Sequence, residues 1–445
     1  MSLPATPTRI QWMLESVWIA SIAGALILWV SFGVRQSIGL FLLPVTTETG
    51  WDRTTFSIAA ALMQLFWGCG QPFVVYLGER KFGFGKVIFA SSLLYATSSW
   101  IMYGSPASSP GVFIFASALQ GLAAGGNSFP IVLASVGRRI PAGSKYKSIV
   151  FGLVSSFGSF GQCCFLPMGR AMIGSLGWRW TFMTFGLMMA VMSPLSMFIQ
   201  SVPPQKQDQD QATAPVDEEK RAAAKLEQEV AEFEKPKVVV NHEDMTLTQT
   251  LKFAFSSPTF ILITLGFSVC GFHVAFLSTH LPAYLVDHDI SSSLAAWVIS
   301  VIGLGSVFGT ISVGYICTRF RPKFVLTAIY LGRVFMLCIF YWVPTSLATV
   351  FSFSVIFGFL WLSTVPATTK FVGDMYGQKY LGTLTSITFV GHQIGAFCGA
   401  FVGGLVYDSM HNYSHMFYAS IALACFASAA NLLAPDEHPP QKPSK

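Results

Sequence analysis

Arg35 has more chemistry to offer than any other residue in this sequence, because it is a charge set inside an otherwise uncharged apolar run, 17–44. Ser31 and Gly39 lie four residues to either side of it, so the three share one helical face. At ~1.5 Å per residue, Arg35 stands about 6 Å from the centre of the run. Its guanidinium could grip a carboxylate through two parallel hydrogen bonds. It could equally be a structural group bonded to helix carbonyls, or one reaching for the membrane surface. His392 falls near the middle of another run, 381–406, sharing a face with Thr385, Thr388, Gly395 and Gly399, with Gln393 beside it. A neutral imidazole can donate to an anion, and its titration range suits proton coupling. The plainer alternative is an interhelical hydrogen bond, which Gln393 could make as well. Gln64, Trp67 and Gln71 recur at i, i+3 and i+7, suiting either a partly aromatic pocket or helix packing. Three further candidates are His273, which shares a face with His280, and Trp361 and Thr364. Arg333 reads as structural, and Ser155, Ser159 and Gln162 read as small-residue packing.

A charge near a bilayer centre costs at least ~2.5–3.5 kcal/mol on insertion scales, so one that persists usually faces a wet cavity or a partner. No Asp or Glu stands near the centre of any apolar run: Glu48, Asp52, Asp287, Asp289 and Asp408 all lie outside. A cavity around Arg35 would therefore carry excess positive charge and favour an organic anion, with a carboxylate as the expected kind. A coupling proton would have to ride on His392 or on the substrate itself. No glycine loop of the phosphate-cradling type precedes a helix, so ATP-driven pumping is not expected. No metal cluster, cofactor motif or nucleophile–base spacing suggests an enzyme. Seven of the eight cysteines lie inside apolar runs and Cys317 at the edge of one, which suggests neither zinc nor a disulfide framework.

The elements that must hold these residues follow from composition. Of 445 residues, 53% are hydrophobic and 11% charged, too few charges to cover a water-exposed surface of this size. Crossing a ~30 Å hydrocarbon core takes about 20 apolar residues. Such runs occur near 17–44, 54–77, 86–103, 110–136, 148–173 and 180–200, and after a polar gap near 259–286, 293–317, 324–343, 346–370, 381–406 and 413–433. The expectation is an all-α membrane protein with twelve transmembrane helices in two six-helix bundles, 17–200 and 248–433. The loops after even-numbered runs are basic (Arg80, Lys81 and Lys86; Arg138 and Arg139; Arg319, Arg321 and Lys323; Lys370 and Lys379), which places both termini in the cytoplasm. The net charge of +6 is thus a topology signal rather than a nucleic-acid footprint. Residues 1–16 are polar and carry no cleavable signal, so the first helix is expected to direct insertion. Residues 201–247 read as a cytoplasmic linker, with Leu226, Val230 and Phe233 at helical spacing, or as a docking or signalling segment; 434–445 reads as a cytoplasmic tail. Six spans, a connector and six more is the layout of a duplicated transporter whose substrate site lies near the midplane.

The loops after the second and eighth runs resemble paired copies of the major facilitator superfamily signature G-x-L-x-D-R-x-G-R-K. The second copy reads Gly314-Tyr315-Ile316-Cys317-Thr318-Arg319-Phe320-Arg321-Pro322-Lys323, with Thr318 at the acidic position. The first, 77–86, keeps an acid as Glu79, with Arg80 and Lys81 following. The resemblance implies that Glu79, Arg80, Lys81, Arg319 and Arg321 help latch one closed state. The stretches 31–53, 280–291, 360–373 and 390–408 are similar to the monocarboxylate and oxalate/formate transporters. Three departures stand out: Ser117 replaces the Arg of R-x-x-Q-G in the fourth span, 158–169 lacks G-P-x-x-G-G, and the eighth span has no Arg to hold a carboxylate. The first two departures weaken a drug-antiport reading and the third weakens direct transfer of monocarboxylate chemistry; with Arg35, the expectation is a secondary transporter of a small organic anion in the plasma membrane, working by alternating access among lipids, without a cofactor or an obligatory oligomer. The competing expectations are a carrier of a neutral or aromatic solute, and a transporter-derived sensor using 201–247.

Overall fold

The computed structural model describes residues 16–140, 146–199, 245–377 and 380–435, and every regular element among them is helical. That follows from the apolar composition, because in lipid each backbone N–H and C=O must be bonded within the segment. The first half of the chain runs α1 (Val17–Gln36), a 3-10 turn (Ile38–Phe41), α2 (Leu42–Thr49), α3 (Arg53–Leu77), α4 (Phe84–Tyr103), α5 (Pro110–Gly126), α6 (Phe129–Gly137) and α7 (Tyr146–Met192). The second runs α8 (Leu247–Ser256), α9 (Pro258–Asp287), α10 (Ser292–Ile316), α11 (Pro322–Trp342), α12 (Leu347–Trp361), α13 (Thr364–Tyr376), α14 (Leu381–Met410) and α15 (Ser414–Leu433).

Ten helical stretches of the described residues are long and apolar enough to cross a membrane. One of them, Gly152–Ile199, has 48 residues and turns at Gly177, whose φ of 80° and ψ of 166° end one leg and begin another. The 20-residue α4 is not among the ten. Leu226, Val230, Phe233 and most of the 201–247 linker lie outside the described residues, as do Lys379 and most of the two termini.

Three of the expected spans are broken past their middles. The ladder of α1 ends at Ser37, α5 gives way to α6 at Asn127–Ser128, and α12 gives way to α13 at Leu362–Ser363. Each break frees carbonyls that need donors. Asn127 Nδ2 donates to the Ala123 carbonyl, and its Oδ1 accepts from Ser92 Oγ at 2.8 Å.

Within the first half, α1 packs on α7 and α3 on α5; within the second, α9 packs on α14, α10 on α12 and α11 on α15. The halves meet along two seams, α3 against α14 and α7 against α10. At the first seam the backbones come so close that a Cβ on Gly68 would collide with the Gln393 side chain. At the second, Gln36 Nε2 donates to Gln162 Oε1 at 3.0 Å, and Gln162 Nε2 donates to the Ile299 carbonyl at 3.3 Å. Gln162 is therefore more than packing, since it ties α1 and α7 to α10.

Candidate functional site

A cavity of about 70 Å³ lies between the halves, with Arg35, Gln64 and Trp67 on one side and Phe389, His392 and Gln393 on the other. Arg35 occupies the last turn of α1, where a cation complements the helix's negative end. Its Nη1 donates to Gln64 Oε1 at 3.0 Å, and its guanidinium lies 4.0 Å from the Trp67 ring centre and 4.8 Å from that of Phe32. Among the described residues no carboxylate pairs with it, and its Nε has no hydrogen-bond partner. The same holds for Trp67 Nε1, both ring nitrogens of His392 and both amide atoms of Gln393. The His392 ring lies near the Cys270 thiol without bonding to it. It stacks on Phe389, with ring centroids 5.4 Å apart and planes 3° apart. The cavity thus joins a cation on an aromatic wall to polar groups from the opposite half.

Five of the nine substrate candidates line this cavity: Arg35, Gln64, Trp67, His392 and Gln393. The other four sit elsewhere. Gln71 is buried farther along α3, with Gln71 backbone atoms beside Gly125 of α5. His273, Trp361 and Thr364 belong to a cluster within the second half that is centred on Arg333. There Arg333 Nη2 donates to the Leu360 and Trp361 carbonyls at 2.8 and 2.6 Å, and also approaches Cys270 Sγ at 3.4 Å. Thr364 Oγ1 donates to the same sulfur at 3.1 Å. His273 Nε2 bonds the Ser420 carbonyl at 2.9 Å, which leaves Nδ1 to accept from Arg333 Nη1 at 3.5 Å. Arg333 thereby satisfies the carbonyls freed where α12 breaks, as a structural arginine should. Phe389 and Phe129 line the cavity unannounced by the sequence, where nothing distinguishes them from 38 other phenylalanines.

A second cluster, at one end of the molecule, is not among the sites that the sequence reading singled out. Arg53, the first residue of α3, makes a two-pronged pair with Asp287 at 2.8 and 2.9 Å. Asp408, at the far end of α14, accepts from the backbone N–H groups of Arg53 and Thr54 at 3.2 and 2.6 Å, so a carboxylate of the second half caps a helix of the first. Arg53 Nη1 also donates to Tyr413 Oη at 2.9 Å, and its guanidinium lies 3.4 Å from the Tyr407 ring centre. The Tyr413 hydroxyl reaches His280 Nδ1 at 3.1 Å, while His280 Nε2 bonds the Ala400 carbonyl at 2.8 Å. The signal was present as opposite charges flanking the spans on one side, Arg53 against Asp287 and Asp408. At the other end, Glu79 pairs with Arg138 at 3.5 Å, within the first half, and Arg319 Nη2 donates to Tyr315 Oη at 2.6 Å. Arg80, Lys81, Arg319 and Arg321 are exposed.

Comparison with known proteins places this geometry. An uncharacterised MFS-type transporter of Bacillus subtilis (strain 168), YcxA, is 21% identical over 398 residues, 85% of each chain. Monocarboxylate transporter 12 of Xenopus laevis is 21% identical over 293 residues, 62% of this chain and 59% of that one. The crystal structure of a D-xylose–proton symporter superposes with a TM-score of 0.65 at 12% identity, covering 95% of this chain and 97% of the other. A bacterial homologue of the human lysosomal transporter Spinster, crystallised inward-facing and unoccupied, gives 0.64 at 14% identity over 94% of each chain. At such identities the likeness is one of fold. The family model for the Major Facilitator Superfamily matches residues 24–397, most of the chain, and the protein belongs to that superfamily of membrane transporters.

Proposed function

We propose that this transporter carries a small organic anion, a carboxylate, by alternating access, with Arg35 as the group that holds it. The observation that carries the reading is Arg35 itself: a cation 5% exposed, facing a cavity between the halves, with one neutral hydrogen bond and no carboxylate among the described residues. A buried charge in such a position draws an opposite charge from solution. Gln64 and the Trp67 face hold the guanidinium in place, and a carboxylate can accept from its remaining N–H groups. His392 and Gln393 would meet the solute from the other half, so that a bound solute draws the halves together. The distant kinship with a monocarboxylate transporter agrees with this choice of substrate class.

The chain on this reading crosses the plasma membrane twelve times. The stretch folded at Gly177 contributes two legs, α4 contributes one more, and the basic loops hold both termini in the cytoplasm. The Arg53 end then faces outward and is the closed end in this structure, while Glu79, Arg80, Lys81, Arg319 and Arg321 form the inner latch. Residues 17–200 and 248–433 act as the rocking bodies, and any coupling proton rides on His392 or on the solute. Counterflow in proteoliposomes tests the site. Arg35→Gln should abolish saturable carboxylate exchange in protein that inserts and melts normally. Unchanged exchange kinetics in that variant would end the anion assignment.

A further inference from the structure

The unpartnered atoms around the cavity are not all of one kind, and their kinds constrain the solute. Arg35 Nε and Trp67 Nε1 can only donate, which suits a carboxylate. Gln393 Oε1 can only accept and its Nε2 only donate, and a neutral His392 has one nitrogen of each kind, so these two residues call for a group that can itself donate, as a hydroxyl or amine can. A carboxylate, having no proton, leaves both acceptors unsatisfied, and leaving a buried polar atom unbonded costs about 1–3 kcal/mol. Gln393 is 1% exposed and His392 4%, and both sit on α14, across the cavity from Arg35. The group that satisfies them must therefore lie at the end of the solute away from its charge.

The walls say what joins the two ends. Phe389 and His392 stack on α14 with their ring planes nearly parallel. Trp67 meets Phe389 edge-to-face across the seam, with ring centroids 5.0 Å and planes 81° apart, and Phe32 and Phe129 continue the aromatic lining. A void of about 70 Å³ is smaller than the ~150 Å³ cavity known to take benzene. Since Trp67 and Phe389 come from different halves, the rocking that opens the site separates this edge-to-face pair and leaves an aromatic-walled gap in its place.

Building on the anion reading, we infer that the solute is an aromatic carboxylate bearing a hydroxyl or amino donor on the side of the ring opposite its carboxylate, and that Gln393 is the residue that reads this donor. The carboxylate lies against Arg35 in the first half, the ring between Trp67 and Phe389, and the donor against Gln393 and His392 in the second. Such a solute completes hydrogen bonds on both halves at once, and one lacking either end does not.

Thermal shift on the purified full-length protein can separate the parts, using 4-hydroxybenzoate, benzoate, cyclohexanecarboxylate, propionate and neutral 4-hydroxybenzyl alcohol. The hydroxybenzoate should bind about fivefold or more tightly than benzoate, the gain expected of one added hydrogen bond. Benzoate should in turn bind more tightly than cyclohexanecarboxylate, which has the same charge but no flat face. Gln393→Ala should bring the ratio of hydroxybenzoate to benzoate affinity close to one. Equal binding of those two acids by the unaltered protein overturns the inference, as does stabilisation by propionate with none by the ring acids; in both cases the anion reading survives. Stabilisation by the alcohol with none by any carboxylate defeats the anion reading and this inference together.

Discussion

Arg333 and Arg35 are both buried, 0% and 5% exposed, and each stands by a span whose helix is broken, yet they are bonded in opposite ways. Arg333 reaches from α11 to the end of α12 and gives its Nη donors to two main-chain carbonyls, a ring nitrogen and a sulfur, with only its Nε left unbonded. Arg35 sits at the end of its own helix, gives one donor to Gln64, and rests its face on Trp67 beside a cavity. Burial alone therefore does not mark a functional charge. What separates the two is the chemistry of their partners: carbonyls freed by a helix break explain the first, and among the described residues only Gln64 bonds the second.

The largest effect should come from Arg333. Replacing it by Met removes the donor from two buried carbonyls, at about 1–3 kcal/mol for each one left unbonded. The variant should melt well below the parent, and what folds should still exchange solute. Normal melting with transport abolished would erase the distinction between the two arginines. At Arg35 the pattern should reverse. Arg35→Lys keeps the charge but loses the fork and the flat face that rests on Trp67, so carboxylate affinity should fall about tenfold, corresponding to one charge-assisted bond, while melting changes little. If Arg35→Lys melts as poorly as Arg333→Met, Arg35 is also a structural residue.

That distinction could be read only in part from the sequence. Apolar runs of sufficient length located most of the helices to within a few residues, because the demand for internal backbone bonding leaves little choice. Arg35 could be singled out because charge is rare in such runs. His273, Trp361 and Thr364 were equally reasonable candidates by type and depth, and they were drawn away from the cavity because α12 breaks at Leu362 and needs Arg333 to cap it. Polar residues interrupt the runs at Gln36–Ser37, Asn127–Ser128 and Ser363–Thr364, which in hindsight marks the breaks. Hydropathy averages over such short interruptions. The Arg53 cluster was hidden for another reason: its partners stand 234 and 355 positions away, and pairing over such distances is decided by how the halves dock.

Arg53 provides a third arginine, intermediate between the other two, because its partner is a carboxylate at the seam. Asp287→Asn removes one charge of a two-pronged pair whose members are 10% and 26% exposed. A pair so placed is worth more than the 0–1 kcal/mol typical of exposed ones, roughly 1–2 kcal/mol. The closed Arg53 end should open several times more often, read as faster labelling of a cysteine placed at Ser57, where the α3–α14 seam buries the wild-type side chain. Glu79→Gln is the smallest test. Its pair with Arg138 is longer, 3.5 Å, more exposed at 28% and 42%, and lies within one half, so it restrains the seam little. Labelling at position 57 should be nearly unchanged in that variant. If instead Glu79→Gln shifts labelling as much as Asp287→Asn does, the carboxylates that bridge the halves have no privileged role, and closure must be credited to the helix seams themselves.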